Sequence, residues 1–280
     1  MNLAGHDIGV CSWSLRPRDI AHLIAQVRHL DLAHLQLALT PLLALSDAER
    51  ALQIDQLRQS QLEITAGMVS FPGENYASIA TIRETGGFVP ADQWEARQKL
   101  TVDAARLCLE LGTHLLSTHV GFIPPSNHPH YQTLIARVRE VAVQLNDLGV
   151  ALLMETGQEQ ANELLQFLND LALANVGVNF DPANMLLYGA GDPIDAAHTL
   201  GRHIHQVHIK DARLSDQPGV TWGQEVPFGA GEVDPHALLE ALDDVQYPGP
   251  FLIERESGQD RVADIRSAIL TLRQLAKPTA

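Results

Sequence analysis

Cysteine is nearly missing from this chain. Cys11 and Cys108 are the only two in 280 residues. They form no C-x-x-C pair, which excludes a disulfide scaffold or a zinc-finger framework and makes a reducing cytoplasm the default compartment. Basic residues are scarce too. Nineteen Lys and Arg stand against thirty-four Asp and Glu, a formal charge of −15. That balance opposes attraction to phosphate backbones and anionic lipid, so no nucleic acid and no membrane is expected as a partner. Apolar runs fall far short of the ~18 residues a membrane helix needs. The opening MNLAGHDIGV carries no basic segment followed by an apolar one, so no secretory signal is expected. Also lacking is a G-x-G-x-x-G after the first apolar run, where Val10-Cys11-Ser12-Trp13-Ser14-Leu15 stands instead. Its absence argues against an open, doubly wound dinucleotide-binding sheet.

What is present is an alternation. Short apolar or β-branched runs at 8–12, 34–38, 62–69, 114–119, 150–155, 176–181, 204–209 and 251–254 read as strands. Amphipathic stretches at 20–30, 47–60, 94–111, 131–148, 158–173, 194–200, 235–242 and 261–275 read as helices. Eight strand–helix units in sequence, with no block of strands set apart, predict an α/β (β/α)8 TIM barrel. No Pro/Ser linker or low-complexity segment divides the chain, so residues 1–280 read as a single domain. Segment 70–93 departs from the regular spacing and reads as an extended loop over the mouth of the barrel.

Side-chain parity in the second half carries the chemistry. In Val176-Gly177-Val178-Asn179-Phe180-Asp181, the apolar set faces the helices and Gly177, Asn179 and Asp181 face the barrel axis. The same rule sends Gln206, His208 and Lys210 inward and places Glu155 and Glu254 as the last inward residues of their strands. Strands five to eight thus bring Glu, Asp, His and Glu to the C-terminal mouth, where barrel enzymes keep their catalytic groups. Converging buried carboxylates repel one another unless a cation neutralises them. A single Glu or His at a strand end is usually solvated or merely hydrogen-bonded; four on adjacent strands are better explained by a divalent metal. Three carboxylates and one imidazole suit Mn²⁺ or Mg²⁺, with Co²⁺ and Zn²⁺ tolerated.

The runs Leu152-Leu153-Met154-Glu155-Thr156-Gly157, Asn179-Phe180-Asp181-Pro182-Ala183-Asn184, Val207-His208-Ile209-Lys210-Asp211 and Ile253-Glu254-Arg255-Glu256 resemble the xylose isomerase-like TIM-barrel superfamily, and within it the sugar phosphate isomerase/epimerase group. The resemblance covers essentially the whole chain and is more specific for fold and metal site than for substrate. It implies that Glu155, Asp181, His208 and Glu254 hold one divalent metal cation, foremost Mn²⁺. It also implies that Glu155 and Glu254 are the catalytic residues that exchange protons with a small, sugar-like substrate. Ketose 3-epimerases of the group commonly carry a His three residues after the strand-six Asp. This chain has Asn184 there, which can donate a hydrogen bond but cannot take up a proton.

Lys210, His119, Asn184, Arg213 and Trp13 are the candidate substrate-binding residues: two cations, two hydrogen-bonding groups and an apolar wall. Arg255, and Glu74 and Tyr76 in the long third loop, are weaker candidates. Gly229-Ala230-Gly231-Glu232 lies where barrels often bind phosphate through backbone N–H groups, yet no Lys or Arg is near it in sequence, which favours an unphosphorylated substrate. The expected reaction is isomerisation or epimerisation through an enediolate. An inosose dehydratase-like lyase and a non-catalytic sugar-binding barrel are the alternatives. A nuclease of the same barrel is disfavoured by the charge, and a homodimer is the base-rate expectation.

Overall fold

The computed structural model describes residues 2, 3 and 5–275. Eight parallel strands form the barrel: β1 (His6–Cys11), β2 (His34–Ala38), β3 (Glu63–Met68), β4 (Leu115–Thr118), β5 (Ala151–Glu155), β6 (Val176–Phe180), β7 (Ile204–Ile209) and β8 (Phe251–Ile253). The ring closes because β8 pairs in parallel with both β7 and β1, and β1 in turn with β2. Outside it run α1 (Ile20–His29), α2 (Asp47–Ser60), α3 (Trp94–Glu110), α4 (Pro129–Asp147), α5 (Ala161–Leu171), α6 (Pro193–Leu200), α7 (Pro235–Asp244) and α8 (Arg261–Leu275).

Two periodicities build this layer. Outward residues of the strands, among them Val10, Leu35, Leu37, Leu152, Met154, Val178, Phe180, Val207 and Ile209, lie in one buried apolar cluster with the helices. The helices contribute stripes at helical spacing, such as Leu164, Phe167, Leu168 and Leu171 of α5. Helix starts are fixed by short polar caps. Ser46 and Glu49 form a capping box at α2, and Asp192 and Asp234 accept backbone N–H groups at α6 and α7, each followed by Pro at the first helical position.

Three features depart from the expected pattern. Segment 70–93 is not wholly a loop: it holds a short helix, Ile79–Thr85, capped by Ser78 and anchored by buried Ile79 and Ile82. At under two turns, its apolar stripe is too short to register as a periodic run. A further short helix, Pro182–Tyr188, follows β6 directly, and a two-stranded antiparallel ribbon, Asp211–Arg213 with Gln224–Val226, stands above β7. All three lie beyond the C-terminal ends of strands, where they shape the mouth.

Candidate active site

The last inward side chains of β5 to β8 converge on one rim. Glu155, Asp181, His208 and Glu254 are all buried, and one ligand atom from each lies within 4.8 Å of the others. Local sequence holds them there. Asp181 is the N-cap of the helix that begins at Pro182: its Oδ1 accepts the Asn184 N–H at 2.9 Å, which leaves Oδ2 turned into the site. The Thr156 hydroxyl donates to the Asp181 carbonyl and accepts the Asp181 N–H, tying the ends of β5 and β6 together. Gly157 adopts φ +135°, and a Cβ there would lie 2.4 Å from the Asn184 Cβ, so only glycine lets Asn184 reach Glu155.

His208 joins the rim to a polar floor beneath it. Its Nε2 is 2.6 Å from Gln36 Oε1 and donates to it. Its Nδ1 faces the carboxylates, 3.0 Å from Glu254, 3.5 Å from Asp181 and 3.6 Å from Glu155. Gln36 is absent from the sequence-derived set, although its alternation with Leu35 and Leu37 marks it as inward-facing. Asn179 donates to Ser117 Oγ, and Gln206 donates to Asn179 Oδ1, completing a buried layer that packs the barrel below the site. Cys11 lies in this layer, and burial pushes its thiol up to about 12, so it remains neutral.

Among the described residues, His208 Nδ1 and Asp181 Oδ2 have no hydrogen-bond partner although both are buried. An unsatisfied buried polar atom costs about 1–3 kcal/mol. Both atoms point at the same spot, toward the oxygens of Glu155 and Glu254. A divalent cation at that spot satisfies all four, and a donor set of hard oxygens plus one imidazole fits such an ion.

The surrounding charges separate the carboxylates. Burial raises the Glu155 pKa, and the opposing pull of His119 and His208 does not cancel it. Burial acts on Glu254 too, but there Lys210 and His208 outweigh it and the pKa falls. Asp181 follows Glu254: Lys210 and His208 overcome burial and hold it at about 2. Lys210 is itself buried, yet the carboxylates of Asp181, Glu254 and Glu256 keep its ammonium charged well beyond the usual lysine range. Its Nζ lies 3.0 Å from Glu254 Oε2, 3.0 Å from Glu256 Oε2 and 3.4 Å from Asp181 Oδ2.

Of the remaining predicted residues, Asn184 links the two charge centres, donating to Glu155 Oε1 at 3.0 Å and accepting from Lys210 at 3.2 Å. Trp13 donates its indole N–H to Glu254 Oε1 at 2.5 Å. His119 Nε2 lies 3.6 Å from Glu155 Oε1. Arg213 is elsewhere: it is exposed and donates to the Ala230 carbonyl, outside the cavity wall. Arg255 is committed to Glu225 and Asp264. Glu74 braces its own loop by accepting the Phe71 and Gly87 N–H groups, whereas Tyr76 lines the cavity. That cavity, about 590 Å³, opens above Glu155 and Glu254, with Trp13, Tyr76, Tyr188 and Trp222 as aromatic walls. Tyr188 comes from the unpredicted helix after β6 and had no signal of its own in the sequence.

The sequence pattern of the xylose isomerase-like TIM barrel family matches residues 24–275. A xylose isomerase domain protein from Planctomyces limnophilus is 32% identical, superposes with a TM-score of 0.85, and is covered over 90% of this chain and 91% of its own. A xylose isomerase-like TIM barrel protein from Mycobacterium smegmatis, solved in complex with magnesium, shares the fold at 18% identity, TM-score 0.74, over 99% and 98% of the two chains. L-ribulose-5-phosphate 3-epimerase UlaE of Escherichia coli is 41% identical over 68 residues, 24% of this chain and 22% of UlaE. YihM of Escherichia coli K12 is 34% identical over 110 residues, 39% of this chain and 32% of YihM. The chain therefore spans well under two thirds of these curated relatives. No helix among the described residues is long and apolar enough to cross a membrane.

Proposed function

Because the chain belongs to the xylose isomerase-like TIM barrel family, we propose that it is a divalent-cation-dependent isomerase or epimerase of a sugar-like keto substrate. One observation carries this reading: two buried glutamates share a rim with Asp181 and His208, one ligand atom of each within 4.8 Å of the others, at the floor of a cavity. The two carboxyl groups have different partners, Asn184 at Glu155 and Trp13 with Lys210 at Glu254, and a pair in unequal surroundings is suited to act as acid and base in one reaction.

Glu155, Asp181, His208 and Glu254 hold the ion, Mn²⁺ in first place, and a cation bound there supplies Lewis-acid stabilisation for negative charge developing on substrate oxygens. Glu254, kept ionised by Lys210, takes the proton from the carbon next to the substrate carbonyl. Trp13 and Lys210 fix one carboxylate oxygen each, so the group keeps its orientation while its charge changes. Glu155 carries the opposite role and returns a proton to the enediolate, steadied by the Asn184 amide. Return to the other face of the same carbon inverts it, and return to the neighbouring carbon moves the carbonyl. The aromatic walls exclude water from the enediolate and offer flat surfaces to sugar C–H groups.

The test is exchange. Incubated with keto-sugars in deuterated water, the Mn²⁺-loaded protein is expected to replace a substrate C–H with deuterium, read by proton NMR, and a chelator is expected to stop it. A full panel of ketoses and inososes without exchange would falsify the reading.

Gln36 enters as a positioning residue, since its carbonyl is the acceptor that holds the His208 ring. Replacing it with methionine, Gln36→Met, keeps the volume and removes the acceptor. Loss of such an outer partner is expected to weaken cation affinity by about 10–100-fold. Calorimetric titration with Mn²⁺ measures this directly; unchanged affinity would mean that packing alone orients the ring.

A further inference from the structure

Barrel enzymes frequently bind phosphate in the loops after strands seven and eight, where backbone N–H groups cradle the anion. In this chain both sets of N–H groups are already taken, each by a carboxylate of the chain itself. After β7, the N–H groups of Gly229 and Gly231 donate to Asp211 Oδ2 at 2.9 and 2.8 Å, and those of Val233 and Ala212 donate to Asp211 Oδ1 at 3.0 and 2.8 Å. Asp211 is fully buried, so four donors surround an internal anion where an external one would sit. After β8, the N–H groups of Glu256 and Ser257 donate to the two oxygens of Glu225 at 2.9 and 3.1 Å, and Arg255 adds a 2.7 Å ion pair to the same carboxylate. Glu225, Glu256 and Ser257 line the cavity, so this second cradle faces the site directly.

The walls agree with the loops. None of the described residues lining the cavity is Arg or Lys. Lys210, just beneath, is shared among three carboxylates. With one divalent cation in place and Glu155 protonated, the carboxylates of Asp181, Glu225, Glu254 and Glu256 cancel the positive charges of Lys210, Arg255 and the ion, so none is left over for an external anion. A phosphate dianion would meet carboxylates with no uncommitted cation to pair it.

Resting on the keto-sugar reading above, we infer that the substrate is an uncharged, unphosphorylated sugar, and that Glu225 and Asp211 close the two phosphate positions of the fold. UlaE is named for a 5-phosphate substrate; at this site the ester is the disfavoured form.

Two measurements test this. In the first, the Mg²⁺-loaded protein is given matched pairs, L-ribulose with its 5-phosphate and D-fructose with its 6-phosphate, and deuterium exchange is compared. Like-charge juxtaposition costs several kcal/mol, so the neutral member is expected to be favoured by about 100-fold or more in kcat/KM. An ester processed as well as its parent overturns the proposal. In the second, melting temperature is followed against inorganic phosphate, with chloride at equal ionic strength as control. The wild-type protein is expected not to respond. Glu225→Ala frees two N–H groups and the Nη1 of Arg255, which keeps its Asp264 pair, and is expected to gain a phosphate-dependent rise of about 2 °C or more. Glu225→Gln, which keeps an acceptor in the cradle, is expected to stay silent and serves if the alanine variant does not fold. Stabilisation of the wild type by phosphate, or an equal response in wild type and Glu225→Ala, overturns the closure. Silence of every sugar in both forms counts against the keto-sugar reading instead, and the phosphate titration still decides whether the cradle is closed.

Discussion

Glu254→Gln is expected to reduce substrate proton exchange by about 10²–10⁴-fold at saturating cation, the range that a single positioned acid or base contributes. The side chain keeps its shape but can no longer accept a proton. Its surroundings make the substitution informative, because both oxygens of Glu254 face donors: the Trp13 indole at one and Lys210 Nζ at the other. An amide must turn its NH₂ toward one of them, so cation affinity and melting temperature are both expected to fall alongside the rate. The catalytic and binding roles separate once the variant's own affinity for Mn²⁺ is titrated and exchange is measured above it. Glu254→Asp gives the complementary case: it retains a titratable carboxylate but withdraws it by one methylene. A Gln variant that exchanges within tenfold of wild type at saturation would remove Glu254 from proton transfer and leave it a ligand only.

Trp13 and Asn184 show what parity reasoning reaches and where it stops. Strand alternation places Glu155, Asp181, His208 and Lys210 on the inner face, since a one-residue slip would turn each of them into the apolar layer. The barrel and its mouth follow from the same pattern, and the strands in the structure match the expected runs to within two residues at either end. Partners are another matter. That Trp13 donates to a residue 241 positions away depends on ring closure between β1 and β8, which no local pattern encodes. The Asp181-Pro182 pair is a legible helix start, but strand parity treats Asp181 only as a strand end and leaves out the helix that carries Asn184 and Tyr188 into the cavity. Arg213 lies away from the cavity for a related reason. Its charge suggested an anion contact, whereas the ribbon formed with Gln224–Val226 turns it outward to the Ala230 carbonyl. Gln36 could have been found, because a glutamine alternating with leucines on an inward face requires a buried partner.

Cation affinity is expected to rise with pH between pH 5 and 8, by at most about tenfold per unit for the one proton displaced from His208 in the cation-free protein. Burial favours the neutral ring, but nearby negative charge overcomes it and lifts the His208 pKa well above its ordinary value. Cys11 adds to that field only as a thiolate, and its thiol stays protonated to about pH 12. Around neutrality, therefore, the carboxylates of Glu254, Glu155 and Asp181 carry the effect. The imidazolium must lose its Nδ1 proton before that nitrogen can serve as a ligand, so one proton leaves for each ion bound. Asp181, held near 2, adds nothing to this slope, whereas Glu155, raised by burial, steepens it toward the acid end. Stability follows with the opposite sign in the two states. Without the ion, the raised His208 pKa gives stability that is fully present below the unfolded value of about 6.5 and fades as pH rises through the folded one. With the ion, stabilisation grows over the same interval, so the rise in melting temperature on adding Mn²⁺ is expected to be small at pH 5 and large at pH 8. Calorimetry in two buffers of different ionisation heat counts the released protons. An affinity flat across that range, with no proton released, would mean that His208 Nδ1 is not among the ligands.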